Sequence, residues 1–92
     1  MEEEYEVFNY PVPKLPRVLK KKLGREMAWG TFDGKNIIEI DERLKGKELM
    51  EIYFHELEHW MYPEKSENEV IKASRIKTEF FWKHGFRFVD NG

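Results

Sequence analysis

Helical periodicity is clearest in the second half of the chain. Over residues 47–62, Leu49, Met50, Tyr53, Phe54, Leu57, Trp60 and Met61 crowd one broad side of a helix plotted at about 100° per residue. Glu48, Glu51, His55, Glu58, His59 and Tyr62 fall on the other side. Pro63 cannot continue this helix and marks its end. The next helix opens at Ser-Glu-Asn-Glu. Ser66 is placed to be its N-cap, and Glu69, three residues on, to be the reciprocal partner in a capping box. The pattern runs to about His84, with Gly85 as the stop and Val70, Ala73, Ile76, Phe80 and Phe81 as the apolar face.

The first half has shorter rhythms. Residues 5–10 read as a short strand, and Pro11, Pro13 and Pro16 then hold the chain extended. Pro16 suits the first turn of a short helix over residues 17–23, with Val18 and Leu19 inward, the lysines in water and Gly24 as the stop. Asp33-Gly34 is a hairpin turn between β-rich runs at 27–32 and 36–40. Residues 86–89 read as a last short strand. The predicted order is strand, helix, hairpin, helix, helix. It describes an α+β fold in which a small antiparallel sheet packs on two helices. No repeat or linker divides the chain, so residues 1–92 are predicted to be one domain.

Composition narrows the chemistry. Three Trp, seven Phe and four Tyr in 92 residues are enough for one small core, and the three tryptophans and the aromatic run at 80–86 are expected in or near it. Sixteen basic residues against eighteen acidic ones give a net charge of −2, which argues against nucleic acid as a partner; the lysines at 20–22 read as a wetted face. The absence of cysteine excludes disulfides and thiolate-held zinc, so any metal site must use His, Asp or Glu. No run approaches the roughly 18 apolar residues of a membrane span, and the acidic start is unlike a signal peptide. A cytoplasmic protein with no membrane partner is the expectation.

His55, Glu56 and His59 form the pattern H-E-x-x-H. Residues four apart share a helix face, so the two imidazoles can converge on one ion, while Glu56 lies about 100° round from His55, placed to touch a water rather than to ligate. The plain alternative is a solvated stripe in which the histidines pair loosely with Glu51 and Glu58. A zinc site that leaves one position for water needs a third protein ligand. The candidates are Glu64, Glu67, Glu69, Glu79 and His84. Glu64 follows the helix too closely, Glu79 is more than two turns into the second helix, and His84 suits its C-terminal carbonyls. Glu67 and Glu69 remain. Helical angle does not separate them, but Glu69 has a capping task, which favours Glu67.

The motif on an apolar helix, followed by a glutamate on the next helix, resembles the gluzincin class of zinc metallopeptidases. Among these it is most similar to the minigluzincins and the small H-E-x-x-H proteins of phages and prophages. The similarity runs over residues 37–87 and includes the Ser66-Glu67-x-x-Val70 step after Pro63, which again favours Glu67. The chain departs from the family pattern at Glu58, where Gly often precedes the second histidine, and that change bears on the charge near the metal. The resemblance implies a minimal zincin-like fold and one Zn2+ held by His55, His59 and Glu67. It implies peptide-bond hydrolysis with Glu56 as general base. Tyr62 or Arg87 is expected to stabilise the oxyanion, and residues 36–40 to bind an extended peptide or protein substrate by strand addition. So small a domain has a shallow cleft, so weak activity, or latency from a terminus across the site, is expected. The rival reading is a non-catalytic regulatory or interaction module with structural zinc or none.

Overall fold

The computed structural model describes residues 7–24 and 28–89. After a short 3-10 turn at Val7–Asn9 come β1 (Arg17–Lys21), β2 (Gly30–Phe32) and β3 (Ile37–Asp41), then α1 (Gly46–Met61) and α2 (Glu67–Lys83). The expected α+β architecture holds. The sheet, however, is mixed: its order is β1-β3-β2, with β2 antiparallel and β1 parallel to the central β3.

The hairpin and both helices follow local signals. Asp33 accepts the backbone N–H groups of Lys35, Asn36 and Ile37 through one carboxylate oxygen, and Gly34 takes a positive φ of 83°, so the turn is built by side chain and glycine together. The capping box forms as expected, with Ser66 Oγ accepting from Glu69 N–H and Glu69 accepting from Ser66 N–H. Gly85, at φ 90°, ends α2.

Several expectations need correction. Residues 17–21 are a strand, not a helix. A helix of one or two turns gains few internal bonds, whereas here the edge of β3 offers a full parallel register from Arg17–Ile37 to Lys21–Asp41. Residues 86–89 form no strand and instead pack through rings: Phe88 stacks on Tyr53 at 5.5 Å between centroids and Phe86 meets Phe81 edge-on. The strand expected at 5–10 is a 3-10 turn where it is described, its first two residues lying outside the described segments. Trp29 is half exposed rather than buried.

The core is small. Ile38, Ile40 and Leu49 are buried between sheet and α1, flanked by Phe32, Leu44, Ile52 and Tyr53. Asp41, wholly buried at the end of β3, ties the end of β1 into this layer by accepting from Leu23 N–H. It also accepts from the Arg43 backbone and guanidinium, and those bonds hold its carboxyl well below the usual range.

The buried face of α2 is rotated from the one predicted. Val70, Ser74 and Thr78 are buried, while Ile76 and Phe80 are more than half exposed. Both hydroxyls donate to carbonyls of their own helix, Ser74 to Ile71 and Thr78 to Ser74, so no polar group is stranded. The reason for the rotation lies on α1. Glu58, predicted to be on the solvated side, is only 2% exposed and accepts from Lys65 Nζ at 2.6 Å and from Lys77 Nζ. Burial raises the pKa of Glu58, but the two ammonium groups outweigh it and the net direction is downward. α2 must therefore turn Lys77 toward α1.

A carboxylate with a depressed folded pKa stabilises the fold above its unfolded pKa of about 4 and loses that contribution as pH falls through the folded value. Urea unfolding is expected to show an acid limb below about pH 4 that becomes shallower in Glu58→Gln. At pH 7 the pair Lys65→Met and Lys77→Met, which leaves a buried charge unpaired, should cost about 3–5 kcal/mol, and adding Glu58→Met should recover most of it.

Candidate functional site

The turn at 62–66 folds α2 back beside α1 and brings the last turns of one helix against the first turn of the other. Ser66 and Glu69 are occupied with each other, so Glu67 is left to face α1. Its two carboxylate oxygens lie 2.7 Å from His55 Nε2 and 3.1 Å from His59 Nε2. The two Nε2 atoms are 3.3 Å apart. His55, His59 and Glu67 thus form a group whose ligand atoms all lie within 4.8 Å of one another.

The group could hold one divalent ion. Tetrahedral ligands at about 2.0–2.1 Å from a metal are separated by about 3.3–3.4 Å. The two imidazoles have that separation, while the Glu67 oxygens, at 2.7 and 3.1 Å, sit at hydrogen-bond distance and would move outward by a few tenths of an ångström around an ion. Two histidines and a carboxylate on adjacent helices are also chemically suited to Zn2+. The solvated-stripe alternative does not describe these histidines. Both are largely buried and neither pairs with Glu51 or Glu58. Glu58 is committed to its two lysines, which neutralise the charge that its place in the motif threatened to add. Of the other candidate ligands, Glu79 pairs with Lys47, His84 lies against the Phe80 ring, and Glu64 and Glu69 are not in the group.

Glu56 is buried beside the group but is not part of it. Burial is the larger cause raising its pKa and the charge of Glu67 the smaller, together lifting it from the ordinary value to about 7. A dication held by Glu67 and the two histidines would offset the second effect.

β2 passes directly over this side of α1. It does so at Gly30, where an added Cβ would lie 2.6 Å from Ile52 Cγ2 and 3.0 Å from Glu56 Oε2. Gly30, Thr31 and Phe32 with His55, Glu56, His59 and Glu67 line a cleft of about 380 Å3. The ladder sets what the strand presents there. Asp33 donates to Ile37 and Asp41 to Trp29, so the hydrogen-bonded pairs with β3 alternate past Gly30 and Phe32. The backbone N–H and C=O groups of those two residues point to the outer edge of β2. Among the described residues β2 has no other sheet neighbour. This corrects the substrate-strand expectation: residues 37–40 are the sheet's centre, and the free edge by the site is β2. The sequence signal was Gly30 itself, a glycine within a strand pattern, which marks a close approach.

The two expected oxyanion partners are elsewhere. Tyr62 lies under the Lys65 ammonium, and Arg87 stacks on Trp82 and donates to the Trp82 and Phe86 carbonyls. Neither lines the cleft. The C-terminal segment through Val89 does not cross the cleft either, while the remaining terminal residues, on which the latency expectation rests, lie outside the described segments. Among the described residues no helix is long and apolar enough to cross a membrane.

Comparison with family models, with curated proteins and with solved structures gives no match.

Gly30→Ala should push β2 away from Ile52 and Glu56 and lower stability by about 1–3 kcal/mol in urea unfolding. Gly85→Ala, strained by its φ of 90° but with nothing within 4 Å of the added Cβ, serves as the comparison. Equal chemical-shift changes at the Ile52 methyl groups in both variants would contradict the close approach.

Proposed function

We propose that this protein is a zinc-dependent peptidase of the gluzincin type, with His55, His59 and Glu67 as metal ligands and Glu56 as general base. The observation that carries the reading is the pairing of two roles on one helix. Two imidazoles converge on a carboxylate from α2, while a buried carboxylate between them in sequence stays out of the cluster and faces the same cleft. The resemblance of the motif to the gluzincins points the same way.

Bound zinc would supply Lewis acidity, lowering the pKa of a water to about 7 and polarising a carbonyl. The chain's own residues do the rest. Glu56 accepts the proton of the attacking water on its carboxylate and passes it to the leaving amine. Its burial keeps bulk water from competing for that proton. The outward N–H and C=O groups of Gly30 and Phe32 hold an extended peptide along β2, so that a backbone carbonyl is presented to the cleft. Glu67, anchored on a capped first turn, holds its two histidine partners in register. With Tyr62 and Arg87 placed outside the cleft, no side chain on either is assigned to the oxyanion.

A module in which zinc only joins two helices shares the ligands but not the role of Glu56. Glu56→Gln therefore separates the readings. It should keep one equivalent of zinc by elemental analysis and a melting temperature near that of the parent, while cleavage of a peptide library falls by at least about 100-fold. Glu67→Ala and His59→Ala should lose stoichiometric zinc. Cleavage that persists in Glu56→Gln, or zinc content unchanged by Glu67→Ala, would overturn the proposal.

A further inference from the structure

Beyond the cleft a second cavity opens along the same wall of α1. It has a volume of about 460 Å3, and its floor is apolar: Trp29, Leu44 and Ile52. It adjoins the cleft at one place, because Trp29 precedes Gly30 and Ile52 sits one turn before Glu56 under that glycine. An extended chain on the free edge of β2 turns alternate side chains toward α1, and at the Trp29 end such a side chain enters this cavity.

The rim carries five charges. Lys47 is held by Glu79 at 2.7 Å, and Arg75 approaches Glu51 at 4.0 Å. Glu48 is the carboxylate left over, so the lining is net negative. Trp29 is 51% exposed, an unusual state for the largest apolar side chain. Its ring already receives one cation from within the chain, the guanidinium of Arg43, 5.4 Å from the centroid and outside this cavity's lining. A floor of apolar groups, an aromatic face and an acidic rim suit a side chain with a long apolar stem and a cationic head.

We infer that the Trp29–Glu48–Glu51 cavity is a specificity subsite that takes an arginine or lysine side chain of the peptide bound along β2. This rests on the peptidase reading for its purpose, but the binding it describes does not require turnover. Arginine is the better occupant, because its planar head stacks on Trp29 while donating in pairs to a carboxylate. An acidic side chain meets Glu48 and is rejected.

The test uses the full chain carrying Glu56→Gln, with zinc, and terminally labelled hexapeptides in which Arg, Leu or Glu is placed at each position in turn. Fluorescence anisotropy should find one position where Arg binds about tenfold tighter than Glu. Trp29→Ala and Glu48→Gln should each reduce that preference several-fold, and Glu48→Gln, which leaves the apolar floor intact, should leave the Leu peptide unchanged. Trp29→Phe, which keeps an aromatic face, should retain part of it, separating loss of the subsite from loss of the fold. Equal binding of Arg and Glu peptides at every position, absence of binding by all of them, or an Arg preference untouched by Trp29→Ala would overturn the subsite. If the preference appears but the parent protein cuts none of these peptides, the peptidase reading fails and the subsite stands.

Discussion

The buried carboxylate of Glu58 governs how the two helices meet. A charge removed from water must be compensated by partners that cannot drift, and here Lys65 comes from the turn and Lys77 from the middle of α2. The requirement fixes the rotation of α2, puts Ser74 and Thr78 into the interface and leaves Ile76 and Phe80 outside. It also sets the register in which Glu67 arrives opposite His55 and His59. The cluster that looks like the chemistry of the molecule is held in place by a neighbouring group that takes no part in it.

The cluster and Glu56 show how environment divides carboxylates that are close in sequence. Glu56 and Glu58 are two residues apart on one helix and both are buried, yet their pKa values move in opposite directions. Glu56 is withdrawn from water and has the negative Glu67 for company. Glu58 has two ammonium groups. The first is thereby suited to exchanging a proton and the second to staying ionised, a separation of duties that depends on neighbours rather than residue type.

What the sequence made legible was local. The Asp33-Gly34 turn, the Ser66–Glu69 box, the Gly85 stop and the four-residue spacing of His55 and His59 each act over less than two helical turns, and each appears where the pattern put it. Glu67 was separable from Glu69 because capping is a local competition for one side chain. What could not be read was set by distant partners. Residues 17–21 become a strand only because β3 is there to receive them. Ser74 and Thr78 are buried because of a charge on another helix. Trp29, a core residue by type, is half exposed because it lies in the bend just before β2, at the edge of a cavity. The expected peptide-binding strand was misplaced for a similar reason: the hairpin was recognised, but which of its arms would stay unpaired depended on β1 joining β3.

The five-residue turn between α1 and α2 makes the helix pair behave like tongs with a stiff pivot. His55, His59 and Glu67 sit beside the pivot, next to the Glu58 knot and the capped first turn. The Trp29 cavity lies toward the open ends, spanned by the Lys47–Glu79 pair and the longer Glu51–Arg75 approach. By lever geometry, a given change in the angle between the helices would displace the walls of the cavity more than it displaces the histidines.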